Sequence, residues 1–362
     1  MTDAKRLPWL RLMALKQTDK DVYESVHRAW PSSGGNRAFG GHVYAQSAIA
    51  ASKTVEDGLV IHNITGHFIL GGSVLAPFVY HVRRIGDGRS FSWRTVEVFQ
   101  GSQPSARPCF VATISFKRYE ESKSWIPLEH QAETFEDFTK TYSSILDRTK
   151  PEETPLAPGA DAPWWYNANN DAWRVTNDMF PGVDIRKVDM SGHNETSRHP
   201  TRHPAAGRRQ LCFYRLIVDA ESRELLNKTT SEILNLHAAA HLYASDRNSL
   251  FLIPRAHGLA DRIAVLASLS HTVIFHGDPA RLKMLDEQGN PIWFVQEAWT
   301  SNSGAGRGCH ESRLWNYKSG RVVASTIQDG MVRIPRDPGR VPKYYQQAET
   351  ALQSVSNPSP KL

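Results

Sequence analysis

Cysteine is scarce in this 362-residue chain, and Cys109, Cys212 and Cys309 are odd in number, far apart and in no C-x-x-C arrangement. That pattern argues against a disulfide framework and against a zinc site, so the thiols are expected in the core. Long apolar runs are missing too. A membrane-crossing helix needs about 18–20 apolar residues in a row, whereas the early stretch from Leu7 to Leu15 is broken by Arg11. No membrane span is expected. The amino terminus shows neither the apolar segment nor the small-residue cleavage site of a secretory signal, so the expectation is an intracellular protein whose sequons at Asn63, Asn194 and Asn227 stay unglycosylated. A G-x-S-x-G elbow is also absent, which argues against a serine-nucleophile hydrolase of the α/β class. The glycine-rich GGNRAFGG at Gly34 to Gly41 matches no phosphate loop.

What is present suits a soluble, globular chain. Hydrophobic residues make up 40% and charged residues 22%, enough for each of two modules of roughly 100–200 residues to bury its own core. The net charge of +6 and a pI of about 9.2 favour an anionic partner: nucleic acid, a membrane surface or a phosphorylated substrate. Much of the excess lies in Arg198 to Arg209 (RHPTRHPAAGRR), where prolines and a glycine forbid a regular helix and predict a solvated insertion. Nucleic-acid binding would require basic residues interleaved with stacking aromatics. The tract lacks them, so no nucleic-acid partner is expected.

The alanine- and serine-rich segment from Gly40 to Val55 (GGHVYAQSAIAASKTV) has helical propensity and predicts a buried helix. Val60 to Leu70, Phe78 to Ile85, Ser90 to Gln100 and Cys109 to Arg118 are rich in β-branched and aromatic residues and predict strands. Between two of them, Gly86-Asp87-Gly88-Arg89 holds the Asp-Gly pair of a tight hairpin. From Tyr119 to Met190 the chain turns charged and proline-bearing, which reads as a connector whose aromatics pack on the modules. A helix over Ser231 to Ser245 follows, then strands near Arg262 to His276, Ile292 to Thr300, Arg307 to Tyr317 and Arg321 to Arg333. The order repeats, and so do residues: AASK ending at Lys53 against YASD ending at Asp246, and VATISF ending at Phe116 against VASTIQ ending at Gln328. A period this long indicates a duplicated domain. The expected division is 1–120 and 206–340 for the modules, 121–205 for the connector and 341–362 for a tail. Helices on antiparallel sheets make the fold class α+β.

Several separated motifs resemble the TesB, or type II, family of acyl-CoA thioesterases. They are Phe39-Gly40-Gly41-His42 with Ala45-Gln46; Asp87-Gly88-Arg89-Ser90-Phe91 with Arg94 and Val96; Tyr243-Ala244-Ser245-Asp246; Ser268-Leu269-Ser270-His271-Thr272 with Phe275-His276; and Val323 to Gly330 (VASTIQDG). They fall in order from Phe39 to Arg333. The resemblance implies a double hotdog fold, two long helices each wrapped by a curved antiparallel sheet. It further implies hydrolysis of acyl-CoA, a homo-oligomer, no cofactor and no metal, with Asp246, Ser268 and Gln328 at the active-site positions. Ser270, where the family commonly has aspartate, and Leu70-Gly71, where it has Arg-Pro, depart from the pattern and bear on substrate more than on the catalytic set.

Those residue types suit the chemistry. Hydrolysis of a thioester needs a held water, a base for its proton and donors for the developing oxyanion. Asp246 lies four residues after Leu242 and seven after Ala239, so it shares a helical face with small and apolar neighbours, and desolvation there raises its basicity. Ser268 and Gln328 can both accept and donate hydrogen bonds to the same water. The oxyanion donors are expected among backbone N–H groups at the start of a hotdog helix. Singly, the three also read as a helix end, a strand hydroxyl and an edge amide. The internal repeat sets Asp246 against Lys53, Gln328 against Phe116 and Ser268 against Ile61, which predicts one active centre per chain and a structural or substrate-binding first half.

Two rival readings remain. A catalytically silent acyl-CoA or acyl-carrier binding module has the same fold. A hotdog hydratase or dehydratase carries D-x-N-P-x-H, of which Asp246-Arg247-Asn248-Ser249-Leu250 keeps only the first part. His257, His271 and His276 are expected in core or surface roles, His271 and His276 being five apart and on opposite strand faces. The basic tract is a candidate for steering CoA phosphates. Pro360-Lys361-Leu362 is related to a Ser-Lys-Leu peroxisomal address, so the peroxisome is expected, with the cytosol as alternative.

Overall fold

A computed structural model describes residues 6–32, 36–101, 107–119, 126, 128–163, 180–196, 205 and 207–337. The tail, most of the basic tract and the connector tryptophans Trp164, Trp165 and Trp173 lie outside the described residues.

In the first half the strands are β1 (Leu15–Asp19), β2 (Val22–Ser25), β3 (Leu59–Phe68), β4 (Val79–Asp87), β5 (Phe91–Phe99) and β6 (Phe110–Arg118). The second half has β7 (Val183–Lys187), β8 (Gln210–Leu216), β9 (Val265–Phe275), β10 (Phe294–Gly304), β11 (Arg307–Asn316) and β12 (Val322–Arg333). All twelve join one sheet in the order β1-β2-β4-β5-β6-β3-β9-β12-β11-β10-β8-β7. From the central β3–β9 pair outward, each strand of one half has its counterpart in the other: β3 with β9, β6 with β12, β5 with β11, β4 with β10, β2 with β8 and β1 with β7. Four strands were not anticipated from sequence. β1 (LKQTD) is mostly exposed, so it carries no apolar alternation, and β7 (VDIRK) lies inside the segment expected as connector. The segment 121–205 therefore does more than connect, because it supplies an edge strand to the second half.

Two helices fill the concave side. α1 (Gly40–Ser52) and α2 (Ser231–Ser245) are buried nearly all round, the condition in which a helix shows no polar face. Their alanines permit close approach. A Cβ on Gly41 would stand 2.7 Å from the carbonyl oxygen of Tyr243, so the start of α1 lies against the end of α2. At the opposite end, the Asn235 side chain of α2 accepts from Ile61 N–H and donates to Leu59 O at the start of β3.

The connector covers the outer face of the second half. A helix over Phe135–Thr141 opens with a Thr134/Asp137 capping box and lays Phe138 against Trp315 of β11, ring centroids 4.9 Å apart.

Candidate active site

Asp246 is the C-cap residue of α2, at φ −85° and ψ −11°. Asn248 follows in the left-handed region at φ +59° and turns the chain into a short 3-10 segment, Ser249–Phe251. A carboxylate at the negative end of its own helix is misplaced by the dipole. Compensation comes from the other half, for Gly41 at the positive end of α1 gives Asp246 a backbone N–H. Only 8% of Asp246 is exposed, and that burial raises its pKa to about 7, against the lowering effects of Gln328, Gly41 and Arg247.

Gln328 and Ser268 meet at that carboxylate. Gln328 Nε2 donates to Asp246 Oδ1 at 2.6 Å and to Ser268 Oγ at 2.9 Å. One amide nitrogen thus spends both hydrogens holding a carboxylate and a hydroxyl at fixed separation, leaving the serine proton available to a third group. The other carboxylate oxygen, Oδ2, lies against Gly40, where an added Cβ would stand 2.8 Å away.

A strand irregularity makes the meeting possible. Ser268 and His271 are three apart and on a regular strand would face opposite sides. Opposite β12, however, Ser268 pairs with Gly330 and Ser270 with Asp329, so Leu269 is a bulged extra residue. The bulge returns Ser268 to the inner face beside Gln328. Gly330 and its neighbour Gly308 leave room for the chain after α2, since a Cβ on either would collide with Leu250 or Ile253.

Asp246, Ser268 and Gly40 line one cleft of about 550 Å³ whose walls include Phe39, Phe68, Phe110 and Leu250. Asp246 and Ser268 thus line the cleft, and Gln328, fully buried, joins them by hydrogen bonds. Among the described residues, no group of His, Cys, Asp and Glu is arranged to hold a metal ion.

The register corrects one internal match. Ile61 and Ser268 occupy equivalent places, each beside a bulge. Ile114 pairs with Ile64 as Gln328 pairs with His271, so the counterpart of Gln328 is Ile114 and not Phe116. The similarity of VATISF and VASTIQ is offset by two residues from the ladder. By the same ladders His310 of β11, opposite Gln328, stands where Arg94 stands in the first half.

Of the three histidines noted from sequence, His257 bonds Ser303 at 2.7 Å and His276 bonds Ser325 at 2.9 Å. His271 is different, being fully buried with Nδ1 4.0 Å from Asp246 Oδ1. Sequence reading missed that proximity, because only the pairing of His271 with Gln328 across the ladder reveals it. Nor did it anticipate that the Gly41 N–H meets the Asp246 carboxylate.

Two fused hotdog halves, with polar side chains converging where the helices meet, define the class: a double hotdog protein with a site suited to activating water. Sequence models of the acyl-CoA thioesterase N-terminal domain and C-terminal domain match residues 26–117 and 226–332. The chain belongs to the acyl-CoA thioesterase family, whose members are thioester hydrolases. It is 25% identical to acyl-coenzyme A thioesterase 8 of Mus musculus over 89% of this chain and 88% of that one. To acyl-CoA thioesterase 2 of Haemophilus influenzae it is 21% identical over 90% and 96%. In structure it is similar to an acyl-CoA thioesterase II from Mycobacterium marinum, with a TM-score of 0.59 at 21% identity over 91% of this chain and 98% of that one.

Proposed function

We propose that this chain hydrolyses acyl-CoA to a free acid and CoA with a water activated by Asp246 and held by Ser268 and Gln328. The observation that carries this reading is the single Gln328 amide bridging a buried carboxylate and a hydroxyl that both line a largely apolar cleft. With a pKa raised to about 7 by burial, Asp246 combines substantial basicity with a substantial ionised fraction near neutral pH.

Asp246 Oδ2 takes a proton as the water oxygen attacks the carbonyl carbon, and the carbonyl oxygen becomes negative. The start of α1, where Gly40 lines the cleft, supplies the positive end of a helix for that charge. Collapse breaks the C–S bond, and the proton on Asp246 passes to the departing thiolate. Apolar cleft walls suit an acyl chain. Arg198 to Arg209 is the candidate tract for the CoA phosphates.

Thiol release from short, medium and long acyl-CoAs tests the reading, with wild type expected to turn over and Asp246→Asn to lose activity. Tight acyl-CoA binding without turnover would instead support the silent binding module. We also propose the division 1–120, 121–205, 206–340 and 341–362 for the modules, connector and tail, a homo-oligomer, and peroxisomal localisation through Pro360-Lys361-Leu362. A fluorescent fusion with and without Lys361 and Leu362 checks the last.

A further inference from the structure

Behind the proposed base lies a row of buried polar groups, of which the hydrolytic steps use only Gln328. His271 of β9, Gln328 of β12 and His310 of β11 are cross-strand neighbours, each at most 1% exposed. Among the described residues, both ring nitrogens of His271, Nδ1 of His310 and Oε1 of Gln328 have no hydrogen-bond partner. Buried polar groups in that state are costly and are kept where they have work to do. The His271 ring is also held firmly. It stacks on Tyr44 of α1 at 4.9 Å and 15°, and Tyr44 itself donates to Ile64 O and His271 O at 3.1 and 3.0 Å. Gly66, directly across the β3–β9 pair from His271, leaves space for the Phe110 and Tyr44 rings, since a Cβ there would collide with Phe110 and stand 3.0 Å from Tyr44.

We propose that His271 is a positioning residue for Asp246: its neutral imidazole presents the Nδ1 hydrogen to Asp246 Oδ1, so that Oδ1 is anchored and Oδ2 is the oxygen left for water. The separation of 4.0 Å closes to a hydrogen bond with a small shift, and catalytic contacts commonly tighten when substrate is bound. Burial pushes His271 down to about 3, which keeps the ring neutral, and the adjacent carboxylate selects the tautomer that donates from Nδ1. The titratable and charged groups around the pair are Arg247 beside Asp246, Tyr44 of α1 and His310 of β11. Facing His271 from β3 and β12 are Gly66 and Gln328, both uncharged.

This inference rests on Asp246 being the base, so the experiment includes Asp246→Asn as a separate arm. The pH profile of kcat/KM for acyl-CoA is measured for wild type, His271→Phe and His271→Gln. Loss of the donor in His271→Phe moves the acidic limb up by about one pH unit and lowers kcat near pH 7 with KM held, while the amide of His271→Gln brings the limb back toward wild type. An unshifted limb in His271→Phe, with Asp246→Asn inactive, overturns the role of His271 alone. Activity in Asp246→Asn overturns the base assignment and this inference with it. Should His271→Phe not fold, nitrogen-15 spectra of histidine in the wild-type protein decide, because an Nδ1–H tautomer for His271 supports the proposal and an Nε2–H tautomer overturns it.

Discussion

The molecule contains the same junction twice, and the two copies have opposite characters. At one, the end of α2 meets the start of α1 and the inner face carries Asp246, Ser268, Gln328, His271 and His310. At the other, the end of α1 meets the start of α2, and the equivalent places carry Lys53, Ile61, Ile114, Ile64 and Arg94. There Arg94 Nε and Nη2 each donate to Thr54 at 2.7 Å, giving the end of α1 the cation its dipole favours. Ser231 and Asn235 tie the start of α2 to Gly58 and Ile61, so that helix start is spent on structure. Across the pseudo-symmetry Ser268, Gln328 and His271 face Ile61, Ile114 and Ile64, while Asp246 faces Lys53 and His310 faces Arg94. One junction is optimised for stability; the other keeps a buried charge that stability alone would remove.

The largest expected effect is at the junction proposed as the active site. Asp246→Asn is predicted to lower kcat by ~10²- to 10⁴-fold, the usual worth of a positioned base, and a rate within tenfold of wild type would end the comparison as drawn. Gly40→Ala comes next, since its Cβ would stand 2.8 Å from Asp246 Oδ2 and 3.0 Å from Phe68. Crowding the base should cost up to about 10²-fold in kcat, checked beside Gly88→Ala as a surface control.

Acidification should lower kcat/KM roughly tenfold per unit below pH 7, where Asp246 is protonated first. Stability should move differently in wild type and variant. The folded pKa of Asp246 is raised from 3.8 to about 7, so its ionisation weakens the fold progressively as pH rises between those values. Asp246→Asn is therefore expected to be more stable than wild type at pH 8, by about 1–3 kcal/mol in denaturant titrations. The buried histidines His42, His237, His241, His271 and His310 pull the other way. Burial holds their pKa values at about 3 or 4, below the ordinary 6.5 of histidine, so stability present above pH 6.5 is lost as pH falls toward 4. Five such groups outweigh one carboxylate, and net acid lability is expected.

The smallest effect sharpens the contrast from the silent side. Ile114→Gln places an amide where no carboxylate waits and should cost about 1–3 kcal/mol of stability while leaving kcat unchanged. A fall in kcat at unchanged stability would show that the first half takes part in the chemistry more directly than its apolar junction indicates.

Much of this was legible in the linear chain. The helix over Ser231 to Ser245 was placed at its observed limits, and the four main strands of each half within a few residues, because alanine runs and β-branched alternation are local signals. Asp246, Ser268 and Gln328 could be named from the family resemblance, but their meeting could not be read from their spacing. β1 and β7 escaped notice because short edge strands with polar residues have no local signature.

The order of the residues alone determined that a helix-then-sheet unit occurs twice and that only one copy keeps a carboxylate, a hydroxyl and a carboxamide. Tertiary structure decided the rest. The bulge at Leu269, which turns Ser268 inward, and the offset that pairs Ile114 rather than Phe116 with the place of Gln328 are properties of strand pairing, and pairing partners lie tens to hundreds of residues apart. Asp246, the proposed base, owes its raised pKa to burial at a junction between helices from different halves, with one half contributing the negative charge and the other the helix end that tolerates it. Local sequence sets propensity and pattern, but desolvation and register arise only when distant segments are brought into contact.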